Sequence, residues 1–217
     1  MFINIHTHQL QGNQTDCLEV QSLYADFGEA ATGAACSLGL HPWHLENLER
    51  QFEELRQFAR LNNVLAIGEC GLDKVCATDW AVQEKVFRKQ VELAKVLVKP
   101  IIIHCVRAYP EILKVLDEMK PGVAVIFHGF NRKMEVAEDL LRYGYYLSFG
   151  NAILNEGPVA NVLSVIPTDR FFLETDDALI SIKEIYQRAA TIRNTSVDAI
   201  ILQVEKNFKN VFKYEMK

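Results

Sequence analysis

Along most of this chain, short runs of β-branched and other apolar residues alternate with longer stretches in which apolar positions recur at helical spacing. The runs INI (3–5), CLEVQSL (17–23), GAACSLGL (33–40), VLAIGE (64–69), PIIIH (100–104), VAVIFH (123–128), YYLSFG (145–150) and RFFLET (170–175) read as eight strands. Segments 47–61, 79–98, 109–120, 133–144 and 155–167 read as amphipathic helices, and 183–194 and 196–213 close the chain as two more. In the 79–98 segment, Asp79 is expected to cap the helix, and Trp80 and Phe87 are expected to face the core.

Strands separated by helices predict βα units and a parallel sheet, and eight of them fit a (β/α)8 TIM barrel better than an open sheet. Residues 9–16 and 24–32 are too short for a full crossover helix, which normally needs about a dozen residues or more. The barrel is therefore expected to be shortened or distorted in its first third. No internal repeat, low-complexity tract or linker interrupts the 217 residues, which predicts one domain over 1–217.

Composition changes the picture in two ways. A net charge of −5 provides no overall positive field to recruit nucleic acid or an anionic membrane, so a phosphate-bearing substrate has to be held locally. Neither a leader-like N-terminus nor a run of about 18 apolar residues is present, which predicts a soluble, cytoplasmic protein without membrane association. The five cysteines, odd in number and without CxxC spacing, read as reduced thiols rather than as a disulfide framework or a zinc knuckle.

The candidate chemistry lies at the ends of the apolar runs. His6 and His8 emerge on one face of an extended strand, and Asn4 shares it. VLAIG runs into Glu69, PIII into His104, VAVIF into His128 and FFLET into Asp176. In a barrel the C-terminal strand ends meet at one rim, where reactive groups are placed. Four of the six histidines in the chain end predicted strands, a concentration that scattered rim histidines do not explain. Imidazole and carboxylate suit Zn, Mn or a similar divalent ion, and six such ligands exceed what one tetrahedral site uses, so two ions are expected. A glutamate can bridge two ions, and an ion pair lowers the pKa of a water that it shares.

HTH, LGLHPWH, IGECGLD, PIIIHCVRA, FHGFN and LETDD, in this order, resemble the TatD family of metal-dependent hydrolases, and NFKNVF (207–212) is similar to the closing helix of that family. The resemblance implies a TIM barrel related to the amidohydrolase fold, two divalent metal ions (Zn, Mg or Mn) and deoxyribonuclease activity. One ion would be held by His6, His8, Glu69 and Asp176, and the other by Glu69 as bridge with His104 and His128. Asp176 and Glu69 would be the catalytic carboxylates. His41 and His44, which could themselves be ion ligands, are assigned with Lys74 and Arg107 to the substrate, with Pro42 and Trp43 turning the chain and Arg132 and Lys133 as further local cations.

Three departures qualify the likeness. Asn4 replaces an Asp usual in the family, which predicts weaker ion binding, and Arg107 lies three rather than two positions after His104. DDALISIKEIY follows the LETD motif where the family carries a basic, Pro-containing loop. The expected mouth is therefore wider and less basic, suited to DNA in short stretches or a small phosphodiester rather than to long DNA. No obligate protein partner is implied. Two other readings fit the same ligands: an amide or ester hydrolase acting on a small molecule, and a non-catalytic, metal-stabilised interaction module.

Overall fold

The computed structural model describes residues 1–10 and 16–214, so most of the expected short connection 9–16 lies outside the described residues. All eight expected strands form, in chain order within one sheet: β1 (Phe2–Thr7), β2 (Cys17–Leu23), β3 (Cys36–Leu38), β4 (Val64–Asp73), β5 (Ile101–Val106), β6 (Val125–Phe127), β7 (Tyr146–Phe149) and β8 (Phe171–Leu173). The helices are α1 (Leu48–Phe58), α2 (Trp80–Leu97), α3 (Tyr109–Met119), α4 (Met134–Arg142), α5 (Pro158–Val165), α6 (Ile182–Ile192) and α7 (Val197–Phe212). As the short segment 24–32 predicts, a 3-10 turn over Phe27–Thr32 takes the place of a crossover helix between β2 and β3.

The chain divides into two compact units, one formed by Met1–Gln21 with Ile126–Lys217 and the other by Ser22–Val125. In the first, β1 runs parallel to β2 from the Phe2–Cys17 pair to the Thr7–Gln21 pair, and β8 pairs with β7 through Leu147–Phe171 and Phe149–Leu173. A parallel bridge then joins Thr7 to Asp176, so that β1 and the segment after β8 are neighbours. Ile3, Ile5, Leu147, Phe149, Phe171 and Leu173 are fully buried, as apolar runs in a helix-covered parallel sheet should be.

Tyr186 of α6 pins β1 from behind. Its hydroxyl accepts from the Ile3 amide (3.0 Å) and donates to the Ile3 carbonyl (2.9 Å), both buried. Tyr186→Phe leaves two buried backbone groups unpaired, and chemical denaturation should record a loss of about 1–3 kcal/mol with unchanged secondary structure. Asn207 of α7 acts similarly on β8, its amide donating to the carbonyls of Thr168 and Phe171 (2.9 Å each).

In the second unit, β4 pairs with β5 and is buried along its whole length. Asp79 caps α2 as expected, its carboxylate accepting from the Val82 amide at 3.1 Å. Phe87 is buried, whereas Trp80 is only half-buried beneath the Lys74 ammonium, 5.7 Å from the ring centre. Two glutamines two turns apart on α2 reach inward and clamp backbone. Gln90 bonds both the amide (2.7 Å) and the carbonyl (3.1 Å) of Leu40, and Gln83 does the same for Asp73 (2.9 and 3.1 Å). They hold the segments that carry His41 and Asp73. The five cysteines are free thiols, and among the described residues no helix is long and apolar enough to cross a membrane.

Candidate metal centre

Among the described residues, imidazoles and carboxylates come together within each unit. In the first unit, the Asp176 amide donates to the His6 carbonyl (3.0 Å) and the His8 amide donates to the Asp176 carbonyl (2.9 Å). This bridge carries three side chains to one place: His6 Nε2 and His8 Nε2 each lie 3.5 Å from Asp176 Oδ1. Alternation along β1 explains why both rings arrive together. Asp176 sits at φ 55°, in the left-handed region that Asp adopts more readily than most residues. His6 is fully buried, whereas His8 and Asp176 are partly open.

Asn4 helps to hold this seam. Its amide donates to Thr175 Oγ1 (2.8 Å) and its carbonyl oxygen accepts from the Thr175 amide (3.1 Å). Thr175 Oγ1 donates in turn to Thr7 Oγ1 (3.1 Å). A carboxylate at position 4 could only accept, so the amide suits this chain of hydrogen bonds. His128 lies beside His6 with ring centres 4.2 Å apart, and its Nδ1 is 3.4 Å from Glu174 Oε1, which also accepts from the Gly129 amide (2.6 Å). Glu174 is fully buried.

In the second unit, His41 Nε2 lies 3.3 Å and His104 Nδ1 2.7 Å from Glu69 Oε1. Glu69 does not end its strand as expected: β4 continues to Asp73. The register of β4 against β5 shifts between Ile67 and Cys70, a bulge that re-aims the side chains across it. Beyond the bulge Gly71 pairs with His104, and a Cβ at Gly71 would overlap the His104 carbonyl oxygen. Gly71→Ala must therefore push β5 away, and ion affinity should fall about tenfold or more, as when the support of a ligand is lost; titration of the variant with Mn²⁺ reads this directly.

Asp73 supports this group from below. Its Oδ2 accepts from the Trp43 indole (2.7 Å) and faces His104 Nε2 (3.1 Å), while Oδ1 accepts from the Val75 amide (2.7 Å). Burial works against its charge, but the bonds from Trp43, Val75 and His104 outweigh it and hold the carboxyl below the usual range. Burial pushes the His41 imidazole down, against an upward pull from Glu69.

The remaining expected substrate residues are spread around this unit. His44 is exposed and stacks on Tyr24, with ring centres 4.6 Å apart at 17°. Lys74 pairs with Glu111 of α3, and Arg107 is exposed just beyond β5 at φ 56°. The sequence assigns no role to Glu174 or Asp73, and to Trp43 only that of turning the chain. For Glu174 a signal was present, since it lies two residues before Asp176 as Asn4 lies two before His6.

The donor sets suit a divalent ion. His6, His8 and Asp176 place one ligand atom each within 4.8 Å of one another, and so do His41, Glu69 and His104. His104 stands between two carboxylates, with Nδ1 2.7 Å from Glu69 Oε1 and Nε2 3.1 Å from Asp73 Oδ2.

Parallel strands in chain order, alternating with helices and carrying imidazole–carboxylate groups near their C-terminal ends, define a metal-dependent hydrolase on a (β/α)8 barrel. The chain belongs to the TatD related DNase family, whose model matches residues 6–213. It is 32% identical over 190 residues to the 3'-5' ssDNA/RNA exonuclease TatD of Cronobacter turicensis, covering 82% of this chain and 70% of that protein. Its fold is similar to the crystal structure of YJJV, a TatD homologue of Escherichia coli K12, with a TM-score of 0.86 at 21% identity over 99% of this chain and 98% of that one. An uncharacterized amidohydrolase of Saccharomyces cerevisiae shares the fold at a TM-score of 0.78 and 11% identity, over 97% of this chain and 99% of that one.

Proposed function

We propose that this protein hydrolyses phosphodiester bonds in DNA or a small nucleotide diester, working with two divalent ions, Zn, Mg or Mn, as one catalytic domain over residues 1–217. The observation that carries the reading is the pair of imidazole–carboxylate groups, His6/His8/Asp176 and Glu69/His104, on a chain of the TatD related DNase family. As the family resemblance implies, His6, His8, Glu69 and Asp176 would hold one ion, and Glu69, His104 and His128 would hold the other. Supporting the shared role is the general placement of reactive groups at the C-terminal strand ends of such barrels. Bound ions of this kind supply an acidified water and neutralise charge on phosphoryl oxygens.

The chain's own residues do the rest. Asp176, the most open of the carboxylates, orients the attacking water and accepts its proton. Arg107, exposed just beyond β5, meets the negative charge that develops on the phosphoryl group. Lys74 can join it on release from Glu111. His41 and His44 contact the substrate. The acidic net charge favours short or small substrates over long duplexes. Free thiols and the absence of a membrane-spanning helix among the described residues support a cytoplasmic location.

Paired assays on metal-loaded protein test this function. A nucleotide diester should turn over and a panel of amides and carboxylic esters should not. Turnover confined to the amides would assign the site to amidohydrolase chemistry, and a protein that binds ions but hydrolyses nothing would be a scaffold.

A further inference from the structure

Trp43 is difficult to justify by packing: 59% of it is exposed, the largest exposed aromatic surface in the described chain. What it contributes inward is its two N–H groups, and each meets a different histidine's support. The backbone N–H donates to His41 Nδ1 at 3.2 Å, and the indole Nε1–H donates to Asp73 Oδ2 at 2.7 Å, the same oxygen that faces His104 Nε2. The two imidazoles stand nearly perpendicular to the indole, at 83° and 75°.

Each contact fixes a tautomer. A nitrogen that accepts a hydrogen bond carries no proton, so His41 is bare at Nδ1 and protonated at Nε2. Its Nε2–H then points to Glu69 Oε1 at 3.3 Å, as a donor with no lone pair for an ion. His104 is opposite in effect. Both of its ring nitrogens face a carboxylate, and an ion that takes the Nδ1 lone pair beside Glu69 leaves the ring proton on Nε2, where Asp73 can only accept it.

The geometry points to Trp43 as the positioning residue that divides these roles: His104 is made an ion ligand through Nδ1, and His41 is made a hydrogen-bond donor at Nε2 and not a ligand. This inference rests on the metal-centre reading above and goes beyond it. It removes His41 from the three-residue group that distance alone would accept, and assigns its Nε2–H to Glu69 in the resting protein and to an oxygen of bound substrate during reaction.

The test is the two-bond ¹H–¹⁵N imidazole spectrum of full-length, ¹⁵N-histidine protein with and without zinc, with His41→Gln and His104→Gln used for assignment. In the zinc-loaded protein both histidines should appear as Nε2–H tautomers. Zinc should shift Nδ1 of His104 strongly and leave Nδ1 of His41 with the signal of a bare acceptor. Trp43→Phe keeps the backbone N–H and loses only the indole donor. It should leave the His41 tautomer intact, blur that of His104, and weaken binding of one zinc equivalent about tenfold, the lower end for loss of an outer partner. Asp73→Asn gives the same reading on His104 if the Phe variant does not fold. An Nδ1–H tautomer at His41 with a zinc-shifted Nε2 would overturn the inference, as would a Phe variant with unaltered His104 signals and affinity. If zinc moved no signal of His6, His8 or His104, the metal-centre reading itself would fall and this inference with it.

Discussion

Asp176→Asn is expected to lower kcat on a nucleotide diester by about 10²–10⁴-fold, the span that a positioned general base contributes. The amide keeps the shape of the side chain and one oxygen for an ion, but it cannot take a proton from water at neutral pH. The backbone bonds that hold the residue, from its amide to His6 and from the His8 amide to its carbonyl, are untouched, so the thermal midpoint should move little. Asp176 is also 37% exposed, which limits any packing change. A loss of activity accompanied by unfolding would mean instead that the carboxylate is structural.

Glu69→Ala should have the larger effect on ion content. Its Oε1 is approached by two nitrogens, His104 Nδ1 at 2.7 Å and His41 Nε2 at 3.3 Å, so removing it deprives one group of its only carboxylate. On the proposed two-ion reading, bound metal should fall from about two equivalents to one or fewer, because Glu69 would be shared by both ions. Activity should drop to background at the same time. Stability of the variant is harder on the account: the lost side chain is 4% exposed, so truncation opens a cavity as well. Glu69→Gln separates the two effects. It fills the space, presents no negative charge, and should reproduce the ion loss without the loss of stability.

The strand and helix pattern was legible because apolar periodicity records burial, and burial here follows the elements closely. That residues 24–32 carry no full crossover helix was likewise legible from their length, and a 3-10 turn over Phe27–Thr32 stands there. His6, His8 and Asp176 were legible for a related reason: alternation along β1 places two rings on one face, and a strand-end aspartate in an eight-stranded order comes back beside β1. Glu69 was legible as a residue but misplaced on its strand, since the β4–β5 bulge is a property of pairing between two distant segments and leaves no local mark.

Other features were invisible for a different reason: their meaning lies in what stands opposite. Gln83 and Gln90 read as polar positions of an amphipathic helix, yet both are buried and bond the backbone ahead of the site. Asp73 looks like a turn residue of a GLD sequence until Trp43 and His104 are seen to share its oxygen. His41 and His44 are chemically identical and three residues apart, but one is buried against Glu69 and the other stacks in the open on Tyr24. Only the path of the turn between them decides which is which.

One titration tests the central claim most directly: turnover of a nucleotide diester by ion-stripped protein as Mn²⁺ is added in measured equivalents. Two imidazole–carboxylate groups acting together predict that activity is absent at the start, rises steeply toward about two ions per chain, and then levels off. Full turnover by the stripped protein, or a plateau reached without any tightly bound ion, would contradict it.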